Sequence, residues 1–201
     1  LYNETNGTGI LPTPAIGGVG VIADYNNAIG SGFTQADAHV FVIGASHGAL
    51  GCSLYQRHVL QDEAIVAPPA VDLQAERTHG EFVRAAIAAG TVSAAHDVSD
   101  GGLLVALSEM AMRHGIGLSS QQQGDAAYWF GEDQGRYIVQ VSADQLAGFT
   151  TAAQAAGVNV NEIGKTGGDE LTIDATLTIS IAELTRINQD WFPDLMSGKT
   201  A

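Results

Sequence analysis

AAHDVSDGGLLVALSEMAM, residues 94–112, sets two acids three positions apart, then a glycine pair, then an apolar run. The run before it, VSAAHDV (92–98), reads as a strand, and Leu103–His114 has the spacing of an amphipathic helix. The acids therefore fall at a strand-to-helix junction. Backbone N–H groups at a helix start have no helical partner and favour anions such as phosphate. Gly101 and Gly102 would let a ligand approach the main chain closely. Carboxylates beside phosphate make sense when Mg²⁺ bridges them, since Mg²⁺ takes a few carboxylates plus phosphate oxygens and water. That reading makes Asp97 and Asp100 metal ligands. The plainer one makes Ser99 or Asp100 a helix N-cap and the glycines a tight turn. His96 reads as a packed or hydrogen-bonded histidine.

Composition limits the function classes. The chain has 201 residues, 45% of them hydrophobic, enough to bury a sizeable core. Its 22 acids against 8 bases give a net charge of −14, which argues against nucleic-acid binding. No apolar run is long enough to span a bilayer, so no membrane partner is expected. Cys52 is the single cysteine, which excludes an internal disulfide, fits a reducing, cytoplasmic setting, and reads as buried packing.

Outward from the junction, residues 1–35 are rich in Gly, Asn, Thr and Pro, with a strand expected at Val19–Ala23 and a turn at Tyr25–Gly32. They hold too few apolar residues for a core of their own. A second unit opens at about residue 36. HVFVIGA (39–45) reads as a buried strand, followed by a Gly-containing turn and a short helix at about 52–60. In residues 68–90 a helix capped by Asp72 ends at Gly90. Further strands are expected at 115–120, 136–141, 158–164, 170–174 and 176–180, with a polar surface loop at 121–128. Helices are expected at 143–157 and at 181–192, the latter stopping before Pro193, and residues 196–201 form a loose tail. Strands and helices mix without strict alternation, which predicts an α/β (α+β) layered domain with a mixed sheet rather than a doubly wound one.

Two other stretches carry polar chemistry. Phe130-Gly-Glu-Asp-Gln-Gly-Arg136 puts Glu132, Asp133 and Gln134 in a row between glycines, as a polar-substrate loop or as an exposed loop with an Arg–acid pair. Gly44-Ala-Ser-His-Gly-Ala-Leu-Gly51 follows a strand and looks like a phosphate loop, without the Gly-Lys-Ser/Thr ending of a P-loop.

Together, LYNETNG…ILPTPAIGGVGVI, the G-x-x-x-G-x-L-G-x-S-x-Y run at 44–55, AAHDVSDGGLLVALSEMA and FGEDQGRYIV resemble the large subunit of phosphoribosylformylglycinamidine synthase. The resemblance covers nearly the whole chain in order. The wider superfamily includes aminoimidazole ribonucleotide synthetase, selenophosphate synthetase and thiamine-monophosphate kinase.

The resemblance implies a C-terminal part of a longer chain. Residues 1–35 would end a second, barrel-forming A domain that is β-rich, and 36–195 would be a second B domain of the aminoimidazole ribonucleotide synthetase type. It implies an ATP-dependent carbon–nitrogen ligase of purine biosynthesis, joining ammonia drawn from glutamine to formylglycinamide ribonucleotide, with ATP and Mg²⁺. Implied partners are the missing N-terminal part, a glutaminase subunit and a small accessory subunit. By the resemblance Asp97 matches a metal-binding Asp, and Glu132, Asp133 and Gln134 match a substrate-binding run; the junction reading adds Asp100 as a second metal ligand and Gly101 and Gly102 as nucleotide or substrate binding. Asp133 stands where the family's first half has Ser. No catalytic residue is carried over, and the chain alone is expected to be inactive. The other readings are a structural nucleotide-holding and partner-docking module, or a different member of the superfamily.

Overall fold

The computed structural model describes residues 2–10 and 13–199. The quoted Leu1, Leu11 and Pro12 of the LYNET…LPTP signature, and the last two residues of the expected tail, lie outside them.

A sheet of seven strands organises the chain. Its strands are β3 (His39–Ile43), β4 (Ala94–Asp97), β5 (Leu118–Ser120), β6 (Tyr137–Val141), β7 (Val160–Thr166), β8 (Glu170–Ile173) and β9 (Leu177–Ser180). Their order is β4-β6-β3-β7-β5-β8-β9. Only the β5–β8 pair is parallel; the other neighbours are antiparallel, so the sheet is mixed, as expected. β1 (Glu4–Thr5) and β2 (Thr8–Gly9) form a separate small hairpin.

Helices cover both faces. α1 (Leu73–Ala88) and α4 (Leu146–Ala156) lie on one; α2 (Gly102–His114), α3 (Ala126–Phe130) and α5 (Ile181–Met196) lie on the other. β3 shows why: side chains alternate along a strand, and all five of its residues are buried. Val40 and Val42 join Leu103, Leu107 and Met110 of α2, while Phe41 and Ile43 join Phe82, Val83 and Phe149 of α1 and α4. Asp72 caps α1 as expected, accepting from the amides of Gln74 and Ala75.

Several expectations are corrected. Val19–Ala23 forms no strand: Val19 and Val21 are fully exposed, Ala23 lies in a bend, and no strand among the described residues pairs with the segment. The polar run 121–125 leads into α3, whose start is fixed by Asp125 accepting from the Tyr128 amide and whose Trp129 enters the core. The expected helix near 52–60 is a single π-helical turn, Tyr55–Val59. α5 runs through Pro193 to Met196, at the loss of one bond, since Pro193 has no N–H to donate to Gln189 O. Cys52 is exposed, with positive φ, and its thiol donates to the Val66 carbonyl.

Gly30–Ala38 is tied firmly to the sheet. Phe33 is buried and its amide donates to Met110 O, and the buried Gln140 accepts from the amide and hydroxyl of Thr34.

Candidate functional site

The β4–α2 junction opens on a cleft of about 450 Å³. It is lined by Asp97 and Asp100 from the junction, Glu132 and Gln134 from the loop before β6, Glu76 from α1, and Tyr137. A strap at Pro68–Pro69 forms one wall. The fold therefore brings four of the residues expected from sequence into one cavity. Gly101, Gly102 and Asp133 do not line it.

Each carboxylate is held differently. Asp97 Oδ2 accepts from the Ser99 hydroxyl at 2.5 Å. That bond holds the Asp97 carboxyl below its usual range, against a smaller opposing effect of burial, so it stays ionised. Its side chain remains 65% exposed. His96 turns away: Nδ1 donates to Asp97 O and Nε2 lies 3.3 Å from Glu109 Oε2, which makes it the hydrogen-bonded histidine expected.

Neither Ser99 nor Asp100 caps α2. Gly101 is the N-cap, without a side-chain bond of its own, and its amide donates to Glu132 Oε1 at 2.7 Å. The same oxygen accepts from Leu54 N at 2.8 Å, at the start of the π-helical turn. One carboxylate from a distant loop thus sits at two helix starts, where negative charge is favoured.

The glycine pair also has an internal reason. Both residues have positive φ, and a Cβ on Gly102 would lie 2.6 Å from Gly131 O and 2.7 Å from the Phe130 carbonyl carbon. What approaches Gly102 on its Cβ side is the protein's own backbone.

Asp133 is buried and faces away from this cleft. Oδ2 accepts from the amides of His47 and Gly48 at 3.1 and 3.0 Å, and Oδ1 from Ala49 at 3.3 Å. Arg136, whose side chain is fully buried, donates to Gly131 O, Asp133 O and Ser46 Oγ. Burial lowers the pKa of its guanidinium, opposed by the nearby Asp133 charge. Of the Glu-Asp-Gln run, only Gln134 projects freely to the surface.

Glu76 and Tyr137 were missed by sequence reasoning. Burial and the charges of Glu76 and Asp97 raise the Tyr137 phenol above its usual range, so it stays protonated and can donate. Glu76 reads in sequence only as an acid in the first turn of α1, and no local signal places it opposite Asp97.

The cleft suits a metal held jointly with a ligand. Among the described residues no group of three or more His, Cys, Asp or Glu is close enough to hold an ion by itself. Two carboxylates with room for water and phosphate oxygens match what Mg²⁺ accepts, since it seldom uses an all-protein cage. Four acidic residues and one buried, committed arginine would repel a bare phosphate.

Fold and cleft define the class: a mixed α/β domain with an acidic cavity at a strand–helix junction. The chain belongs to the family described as AIR synthase related protein, C-terminal domain, which it matches over residues 36–174. It is 50% identical over 200 residues to the phosphoribosylformylglycinamidine synthase subunit PurL of Methylocella silvestris, across 98% of this chain and 27% of that protein. The corresponding subunit of Rhodopseudomonas palustris is 47% identical over 203 residues, across 99% of this chain and 27% of its own length. The chain thus spans about a quarter of these curated relatives. Among solved structures it is similar to T. maritima PurL complexed with FGAR, with a TM-score of 0.66 at 16% identity over 80% of this chain and 30% of that one. Thiamine-monophosphate kinase from Stenotrophomonas maltophilia matches with a TM-score of 0.52 at 20% identity, over 76% of this chain and 55% of that one. At such identities the likeness is one of fold.

Proposed function

We propose that this chain is the C-terminal part of a phosphoribosylformylglycinamidine synthase and that its junction cleft holds a magnesium–nucleotide. Family membership and 50% identity to a subunit of that name support the first half. The second half rests on one observation: Asp97, Asp100 and Gln134 share a cavity with Glu76 and Tyr137. Asp97 and Asp100 would hold Mg²⁺, and Gln134 and the Tyr137 hydroxyl would orient the ligand. Glu132 and Asp133 act by fixing the loops. Bound Mg²⁺ would offset phosphate charge.

In this reading the whole protein is an ATP-dependent ligase of purine biosynthesis, joining ammonia from glutamine to formylglycinamide ribonucleotide. Solved structures titled as complexes of T. maritima PurL with ATP and with ADP support a nucleotide ligand. One titled as PurLQS supports partner subunits, here a glutaminase and a small accessory subunit. Residues 1–35 would complete an A domain, residues 36–195 would be the second B domain, and residues 196–201 a loose tail. The exposed Ile16, Val19 and Val21 support this, as apolar residues with nothing among the described residues to cover them. A cytoplasmic location follows from that metabolic role; among the described residues no helix is long and apolar enough to cross a membrane.

Calorimetric titration of ADP with Mg²⁺ tests the site. The chain is expected to bind, and Asp97→Asn with Asp100→Asn to abolish binding. No binding to the unaltered chain, or full binding by the doubly substituted one, would overturn the assignment. The chain alone is expected to release no phosphate from ATP with glutamine or ammonia present.

A further inference from the structure

The loop 44–51 has the parts of an oxyanion site. Three successive amides, of His47, Gly48 and Ala49, point at one carboxylate, the first two at its Oδ2 and the third at its Oδ1, and Gly48 takes the left-handed conformation, φ +76°, that turns neighbouring amides to the same side. Arg136 stands behind them, its Nη2 4.0 Å from the same Oδ2 and its Nη1 holding the Ser46 hydroxyl. Amides and a guanidinium around one carboxylate form a set that recognises phosphate or carboxylate oxygens. That carboxylate belongs to Asp133, which is 5% exposed. Beside it lies a second cleft of about 430 Å³, reached past Ala45, Asp72 and His79, which adjoins the junction cleft and shares Pro69, Glu76, Gln134 and Gly135 with it.

We propose that the loop 44–51 is an oxyanion-binding nest whose seat is occupied by the chain's own Asp133, so that it is closed to phosphate. The carboxylate stands in for a phosphoryl group: it carries the charge, and its two oxygens take all three amide protons. Shortening the side chain empties the seat and joins it to the adjoining cleft, where an external oxyanion can replace the lost charge. The inference does not depend on the junction cleft binding magnesium or nucleotide.

The test is titration of inorganic phosphate into the full chain and into Asp133→Ser, followed by amide NMR. Phosphate is expected to leave the His47, Gly48 and Ala49 resonances of the unaltered chain in place and to shift all three in the variant. At about a hundredfold excess over its Kd, phosphate is expected to raise the variant's Tm by about 5 °C or more and leave the unaltered chain's Tm unchanged. Shifts at those amides in the unaltered chain, or a folded variant that ignores phosphate, would overturn the proposal. Asp133→Asn covers the case in which the serine variant does not fold. Its carboxamide offers one oxygen in place of two, so hydrogen exchange at one or more of the three amides should accelerate about tenfold. Unchanged exchange at all three would equally overturn the proposal.

Discussion

Gly102 shows how closely a single residue can be constrained. Its φ is positive and a Cβ would meet the backbone of Phe130 and Gly131, which cannot move as a side-chain tip can. Gly102→Ala should therefore cost about 2–4 kcal/mol, from left-handed strain plus overpacking. Gly90 has similar φ but nothing within 4 Å, so Gly90→Ala should cost only about 1 kcal/mol. Urea unfolding of both variants measures the difference. Asp97 makes a second prediction. Its folded-state pKa lies below the unfolded value, so its contribution to stability is present above the usual carboxylate range and is lost as pH falls through the depressed value. Ser99→Ala removes the largest cause, and the Asp97 titration midpoint should rise toward its ordinary value, as NMR of the carboxyl carbon would show. The sequence placed these residues at one junction. It did not reveal that Glu132, far along the chain, caps that junction, because only the fold brings the two together.

The elements most legible in sequence are those with strong local signals. Asp72 fixes the start of α1, and the glycines after α2 and α4 adopt the left-handed conformation that ends a helix. The unbroken apolar run of β3 announced a strand buried on both faces. α3 was not legible, since five residues after a polar glutamine run carry no usable periodicity. The loops at 44–51 and 131–135 were legible as polar, but not as partners of one another. Arg136 joins them from a fully buried position, with three oxygen acceptors around its guanidinium. Arg136→Leu should therefore destabilise by about 3–5 kcal/mol, leaving Asp133 without its nearest positive charge. Denaturant unfolding would register that loss, and faster hydrogen exchange in both loops would locate it.

At the scale of the whole molecule, the chain divides between a packed domain and an N-terminal arm whose apolar residues are uncovered. Ile16 and Val21 are more than nine-tenths exposed, while Phe33, a few positions on, is fully buried. Limited proteolysis should therefore cut first between about residues 13 and 29. A chain starting at Ala28 should keep its Tm within about 2 °C, since the packing of Ile29 and the anchoring bonds of Gly30–Ala38 remain. The domain presents its acidic cleft at the β4–α2 junction, and the central claim is that metal and nucleotide meet there. Mn²⁺, substituted for Mg²⁺ and added with ADP, tests this most directly through paramagnetic broadening of amide resonances. Val98–Gly102 and Gln134 should broaden first, and Asp97→Asn with Asp100→Asn should abolish the effect. Broadening scattered over the other exposed acids, or unchanged by the double substitution, would contradict it.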